Sequence, residues 1–145
     1  MERRNFVKSS ASALVGFAGL SIIPSTVLGK TFGSIAPSDK VNLACCGIGN
    51  RGGGITKSLH ATGLANIVAL CDVDMGAPHF KDFREMFDKM GDKIEAVNVG
   101  TPDFSHFPIT MMAMSLGIHV YVEKPMARTF NEVELMMDCA KRHNV

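Results

Sequence analysis

The stretch that decides the fold reads Val41-Asn42-Leu43-Ala44-Cys45-Cys46, followed directly by Gly47-Ile48-Gly49-Asn50-Arg51-Gly52. The first six residues form a short apolar run that ends at a glycine, which predicts a buried β-strand. The next six have the pattern G-x-G-x-x-G, and a helix is predicted from about Gly53 to Ala61. A glycine loop between a strand and a helix is typical of dinucleotide-binding domains, because the free N–H groups at the helix start face the pyrophosphate.

We assign the whole Gly47–Gly52 loop to such a cofactor. Gly47 permits the tight turn, Gly49 lets the pyrophosphate approach the backbone, and Gly52 lets the helix pack close to the strand. Arg51 adds positive charge, whereas the two glycines that follow the loop predict a looser turn than usual.

An acidic residue about twenty positions later makes this pattern more specific. Asp72 stands there, directly after the predicted second strand, Asn66–Cys71. Its carboxylate can accept hydrogen bonds from both hydroxyls of the adenosine ribose and repels a 2′-phosphate, so it favours NAD over NADP. Asp74 is a weaker candidate for the same role, and the alternative interpretation of Asp72 is a turn residue at a strand end.

The rest of the chain alternates strands with helices. Further strands are predicted at Ile94–Val99 and His119–Val122, and further helices at Phe80–Met90 and Ser105–Leu116. A last helix starts at the capping box Thr129-Phe130-Asn131-Glu132, and its apolar face consists of Val133, Met136, Met137 and Ala140. This order predicts an α/β fold with a doubly wound, parallel, Rossmann-type sheet over residues 41–145.

Length and composition exclude several other classes. The 145 residues, 46% of them hydrophobic, suffice for one globular domain, and a net charge of +1 without a basic patch argues against a nucleic-acid partner. The four cysteines lack the spacing of a zinc site or of a disulfide framework, so we expect no metal. Cys45 and Cys46 point to opposite faces of a strand, and we interpret the cysteines as small buried hydrophobes rather than redox groups.

The first 29 residues are predicted to be a leader rather than part of the fold. Arg3-Arg4-Asn5-Phe6-Val7-Lys8 resembles the twin-arginine pattern, an apolar stretch at Ala11–Ile23 follows, and Val27-Leu28-Gly29 resembles a cleavage site. The apolar stretch is shorter than the ~20 residues that a membrane-spanning helix needs. We expect a periplasmic protein exported by the twin-arginine route, with residues 30–40 as a linker; the alternative is a cytoplasmic protein with a disordered or amphipathic tail.

Two more segments come directly after predicted strands, at the sheet edge where open α/β sheets bind ligands. They are Thr101-Pro102-Asp103-Phe104-Ser105-His106 and Glu123-Lys124-Pro125. Together with the glycine loop and Cys71-Asp72-Val73-Asp74, they resemble the N-terminal domain of the Gfo/Idh/MocA oxidoreductases, the family of glucose–fructose oxidoreductase and inositol dehydrogenase.

The resemblance implies NAD-dependent hydride transfer to or from a sugar, a polyol or a related hydroxyl compound. It places Lys124 beside the nicotinamide and the substrate, as the catalytic residue that polarises the reacting oxygen, and Glu123 at the nicotinamide ribose. Pro125 would hold the turn, often through a cis peptide. The residues that would line the cofactor groove are Thr101, Pro102 and His106. The plainer alternatives are a solvated lysine and a histidine that only caps its helix.

Two departures from the family pattern bear on activity. The family continues into a second domain that binds substrate and supplies a His or Asp acid/base, worth typically about 10²–10⁴-fold in rate, whereas this chain stops at Val145. In segment 74–94 a single helix fits where the family has two helices and an edge strand, so we expect a bare flank beside the adenine site and weaker adenosine binding.

We therefore expect an incomplete cofactor domain without the substrate domain, present as a fragment or a truncated product. A homo-oligomer of the full-length form is left open. Two alternatives are a non-catalytic nucleotide-binding module and a non-functional remnant. An exported branch of the family resembles NAD-dependent glycosidases, and Lys124 argues mildly against it because the E-K-P element is not typical of that branch.

Overall fold

A parallel sheet of four strands forms the centre of the domain. The computed structural model describes residues 35–74, 76 and 79–145. The strands are β1 (Val41–Cys46), β2 (Ala65–Cys71), β3 (Ala96–Val99) and β4 (His119–Val122), in the spatial order β2-β1-β3-β4. The helices of the described part are α1 (Asn50–Ala61), α2 (Phe83–Met90), α3 (His106–Ser115) and α4 (Phe130–His143). The predicted Rossmann-type α/β fold is confirmed.

Helices cover both faces of this sheet. Helix α1 packs on β1 and β2 from one side. Helices α2 and α3 pack on the other side, and α4 packs against α3. The core on that second side contains Ala44, Cys46, Val97, Val99, Met86, Phe87, Ile109 and Ala113. Each large apolar side chain buried there contributes about 1.5–3 kcal/mol, so this core holds the strand ends in place.

The segment between β2 and α2 differs from the prediction. Phe80 was expected to begin a helix, but it forms an isolated parallel bridge with Cys71. Its N–H donates to the Leu70 carbonyl at 3.0 Å, and its own carbonyl accepts from the Asp72 N–H at 3.1 Å. The flank is therefore not fully bare, because one extended residue takes the position of an edge strand at the end of β2.

Helix α2 begins only at Phe83, where a capping side chain is available. The Asp82 carboxylate accepts a hydrogen bond from the Arg84 N–H at 2.8 Å, which satisfies one free donor of the first turn. Phe83 and Phe87 are spaced i, i+4 on this helix, and their ring centres lie 6.4 Å apart in an edge-to-face arrangement.

The last helix begins as predicted. The Thr129 hydroxyl accepts from the Glu132 N–H at 3.2 Å, and the Glu132 carboxylate accepts from the Thr129 N–H at 3.2 Å. Met136 is buried, but Met137 is 53% exposed, so its assignment to the apolar face was wrong. In the part of the chain that the structure describes, α4 packs mainly against α3, so its buried stripe is narrower than the sequence suggests.

The predicted leader, residues 1–29, lies outside the described residues, as does the start of the linker. The described part of the linker contains a short 3₁₀ turn at Pro37–Asp39. Among the described residues, no helix has the length and apolar character needed to cross a membrane.

A dinucleotide site at the carboxyl edge of the sheet

The sequence motifs meet at one edge of the sheet. All four strands are parallel, so the loops that follow them lie side by side. From β1 the chain continues to β2 on one side and later to β3 on the other, which creates a crevice between β1 and β3. Ligands of open α/β sheets bind at such a switch point. The glycine loop lies directly above it.

The loop has almost no room for side chains. Gly47 has a φ of +76°, and a Cβ there would lie 2.5 Å from the Thr101 backbone nitrogen. A Cβ on Gly52 would overlap the Gly47 carbonyl oxygen, as expected for close packing of helix on strand. Gly53 is equally confined by the Ile48 carbonyl oxygen, so the expected loosening of the loop does not occur at that position.

Asp72 organises this loop. One carboxylate oxygen accepts hydrogen bonds from the Ile48 N–H at 2.7 Å and the Gly49 N–H at 3.2 Å. The other oxygen accepts from the Asp74 N–H at 3.0 Å. Desolvation by burial raises the pKa of Asp72, but these backbone hydrogen bonds outweigh it and the pKa is lowered overall. Asp72 thus stays ionised, and of its about four acceptor positions one remains for a further donor, such as a ribose hydroxyl.

A dinucleotide fits the groups that remain. Helix α1 starts at Asn50, and no side chain in the described part caps it, so the first N–H groups are free to meet phosphate oxygens. A Cβ built on Gly49 meets nothing within 4 Å, which leaves the backbone open to a ligand. The Thr101 hydroxyl is buried without a hydrogen-bond partner among the described residues, as expected for a group that awaits a ligand.

Two adjoining cavities share Thr101. The first has a volume of about 350 Å³ and lies against Gly47, Asp72, Thr101 and Pro102. The second is lined by Arg51, Gly100, Thr101, Glu123 and Lys124. Asp72 lines the first cavity and Lys124 lines the second.

Arg51 and Glu123 face each other across the second cavity. The Arg51 guanidinium lies 3.6 Å from a Glu123 carboxylate oxygen, and the Arg51 side chain is 80% exposed, whereas that of Glu123 is 12% exposed. An ion pair with so exposed a partner contributes little stability. Arg51 is therefore free to turn towards a phosphate.

His106 lies behind the cavities rather than in them. Its ring is enclosed, with 1% exposure, and Nδ1 lies 2.7 Å from the Pro125 carbonyl oxygen and Nε2 2.8 Å from the Thr101 carbonyl oxygen. A neutral ring donates from one nitrogen at a time, so either tautomer bonds one of these two oxygens. His106 thereby links the loop after β3 to the Lys124–Pro125 turn, whose peptide bond is cis, as the resemblance implied.

Some lining residues had not been singled out from the sequence. Lys81 and Phe104 line the first cavity, and Gly100 the second. Lys81 gives no sequence signal, because its position depends on the Phe80 bridge. Phe104 belongs to the segment that follows β3, and its place in that segment is the sequence signal that could have singled it out.

The fold and this site define a dinucleotide-binding domain, and comparison with known proteins specifies the class. The family described as "Oxidoreductase family, NAD-binding Rossmann fold", Gfo/Idh/MocA, matches residues 41–145. The chain belongs to this family, and the expected NAD cofactor is confirmed at that level. The resemblance inferred from the glycine loop, Asp72 and the two strand-end motifs is thus correct.

Individual relatives show the same relationship. A curated relative, a glycosyl hydrolase family 109 protein of Shewanella baltica, is 28% identical over 174 residues, covering 98% of this chain and 37% of the relative. The structure of an inositol dehydrogenase homolog complexed with NAD⁺ from Azotobacter vinelandii is 28% identical with a TM-score of 0.67, covering 74% of this chain and 33% of that one. The structure of a dehydrogenase from Chromobacterium violaceum is also 28% identical, with a TM-score of 0.67. The match covers 74% of this chain and 34% of that one. The chain thus spans 37% of the length of the first curated relative.

Proposed function

We propose that this chain binds NAD and forms the cofactor part of an oxidoreductase that transfers a hydride to or from a sugar, a polyol or a related hydroxyl compound. One observation carries the proposal. Lys124 and Glu123 line a cavity with Thr101, and Thr101 also lines the neighbouring cavity, to which Asp72 and Gly47 of the glycine loop contribute. The inositol dehydrogenase homolog among the similar structures supports the substrate class.

Each group has a task in this scheme. Asp72 accepts a hydrogen bond from the adenosine ribose, and the free N–H groups at the start of α1 bind the pyrophosphate. The Lys124 ammonium donates a hydrogen bond to the reacting oxygen, which stabilises negative charge as it develops there. The nicotinamide, when bound, supplies the hydride acceptor. The hydroxyl proton needs a base, and the cavity around Lys124 contains no carboxylate other than Glu123 among the described residues.

A second candidate is an NAD-dependent glycosidase that cleaves through transient oxidation of the sugar. The observation in its favour is the name of several curated relatives, glycosyl hydrolase family 109 protein. The Lys124 element argues mildly against it. A third candidate is a nucleotide-binding module without turnover.

One set of measurements separates the three. The full chain is titrated with NADH by fluorescence, and then incubated with NAD and a panel of polyols and sugars while NADH formation is followed. The same preparation is tested on chromogenic glycosides with and without NAD. Polyol-dependent NADH formation supports the dehydrogenase, NAD-dependent release of the chromophore supports the glycosidase, and binding without either reaction supports the module. Absence of NADH binding would contradict the proposal itself.

Lys124→Gln tests the assigned catalytic residue, and Lys57→Gln on the exposed side of α1 is its matched control. We expect Lys124→Gln to keep NADH binding within about threefold and to lower turnover by about 10²-fold or more. Equal turnover in both variants would exclude a catalytic role for Lys124.

We also propose export by the twin-arginine route, on the basis of the Arg3-Arg4 motif. A fusion of residues 1–40 to a folded reporter should reach the periplasm. Replacing both arginines by lysine should retain it in the cytoplasm. Equal distribution of the two fusions would refute this route.

A further inference from the structure

Two cysteines that are far apart in the sequence come together under the first cavity. Cys46 ends β1 and Cys71 ends β2, and the two are direct partners in the parallel register of these strands. Both belong to the same core cluster, so their side chains lie on one face of the sheet. Both also line the cavity that contains Asp72.

Their spacing suits a disulfide. Neighbouring strands lie about 4.7–4.9 Å apart, and disulfides join residues whose Cα atoms are about 4.4–6.8 Å apart. Both thiols are free, with residue exposures of 1% for Cys46 and 6% for Cys71. A small oxidant can reach them through the cavity, whereas a protein thiol cannot.

The two thiols are also chemically unequal. A hydrogen bond between the two thiols lowers the pKa of Cys71. The same hydrogen bond raises the pKa of Cys46, and burial raises it further. Cys71 is also the more exposed of the two, at 6% against 1% for Cys46, so a small oxidant entering the cavity meets Cys71 first. This inequality is what a reactive cysteine with a resolving partner requires.

We propose that Cys71 and Cys46 form a peroxide-reactive dithiol at the base of the first cavity. The Cys71 thiolate attacks one peroxide oxygen, the O–O bond breaks, and a sulfenic acid and hydroxide form. The Cys46 sulfur then attacks the Cys71 sulfur, the S–S bond forms, and the Cys46 proton leaves with the oxygen as water. Two thiols lose two electrons in total, and one hydrogen peroxide becomes two waters.

Oxidation would reach the cofactor site through the backbone. The Gly47 N–H donates to the Cys71 carbonyl at 2.8 Å, and the Gly100 N–H donates to the Cys46 carbonyl at 2.8 Å. Asp72 follows Cys71 directly and holds the loop through Ile48 and Gly49. A disulfide fixes the side chains at both strand ends and thereby shifts the groups that bind the dinucleotide, and a bound dinucleotide covers the thiols. This coupling rests on the proposed NAD binding, whereas the dithiol itself does not.

Peptide mass spectrometry tests the dithiol on the reduced full chain. Hydrogen peroxide is added, free thiols are alkylated, and the chain is digested with trypsin. The expected disulfide links peptide 41–51 to peptide 58–81, and Cys139 in peptide 129–141 stays alkylated as the internal control. Cys45→Ser should keep this link and Cys46→Ser should abolish it, which identifies the partner within peptide 41–51. A link that survives in Cys46→Ser, or involves Cys139, or does not form at all, would overturn the proposal.

The coupling has a separate readout. NADH at ten times its Kd should slow formation of the link about tenfold, because about one site in eleven remains free. The oxidised chain should bind NADH at least tenfold more weakly, and dithiothreitol should restore binding. A link that forms at the same rate with and without bound NADH would refute the coupling. If the reduced chain forms the link but binds no NADH, the proposed function fails while the dithiol stands; if it binds NADH but forms no link, the reverse holds.

Discussion

Asp72→Asn is the most informative single change, because the structure gives this carboxylate two tasks. It orders the glycine loop by accepting hydrogen bonds from the Ile48 and Gly49 N–H groups, it accepts a third from the Asp74 N–H, and it is placed to bind the ribose. An asparagine keeps one acceptor oxygen. It turns an NH₂ group towards at least one backbone N–H, so that donor faces donor.

The size of the effect follows from these bonds. A hydrogen bond to a charged group contributes about 1.5–3 kcal/mol when buried, and less at this half-buried position where water competes. We expect a loss of about 1–2 kcal/mol in the free energy of unfolding, which corresponds to a Tm lower by about 4–16 °C for a domain of this size. NADH binding should weaken about tenfold or more, which is equivalent to ~1.4 kcal/mol.

The pH dependence gives a second check. Because the folded-state pKa of Asp72 lies below its ordinary value of 3.8, the stabilisation is complete above that value and disappears as the pH falls through the folded pKa. The stability difference between wild type and Asp72→Asn should therefore shrink as the pH falls below 3.8. Urea denaturation at several pH values and NADH titration are the assays, and Asp74→Asn is the matched control. Unchanged stability and unchanged NADH affinity in Asp72→Asn would refute the reasoning.

Four further substitutions test the packing and capping of the domain. Gly52→Ala should lose at least about 2 kcal/mol of stability because the added Cβ has no room. Gly54→Ala should gain about 0.4–1 kcal/mol, because a Cβ there meets nothing within 4 Å. Equal midpoints of urea denaturation for the two variants would contradict this. Thr129→Ala removes the cap of α4 and should cost about 0.5–2 kcal/mol in the same assay, and no loss would show that the cap is not needed. His106→Phe keeps the ring shape but removes the N–H that bonds one of the two carbonyl oxygens, so unfolding should become easier by about 1–3 kcal/mol; a thermal melt equal to wild type would argue against the link between the two loops.

Much of the site could be predicted because its parts follow strand ends. Thr101, Glu123 and Lys124 come directly after β3 and β4, and parallel strands place their carboxyl ends at one edge. The same reasoning placed Asp72 beside the glycine loop. It could not show that Asp72 also holds that loop, since this depends on the distance between two loops 23 or 24 residues apart in the chain.

The sequence by itself determined the order of strands and helices, the glycine turn and the capping box of α4, because these depend on residues within a few positions of one another. Only the tertiary structure decided that Phe80 bridges to β2, that His106 lies enclosed between the Thr101 and Pro125 carbonyls, and that Cys46 faces Cys71. Cys46 was first considered against its sequence neighbour Cys45, which lies on the opposite face. Its true partner is set by the register of β1 on β2, and register arises from the packing of whole strands, which no local pattern encodes.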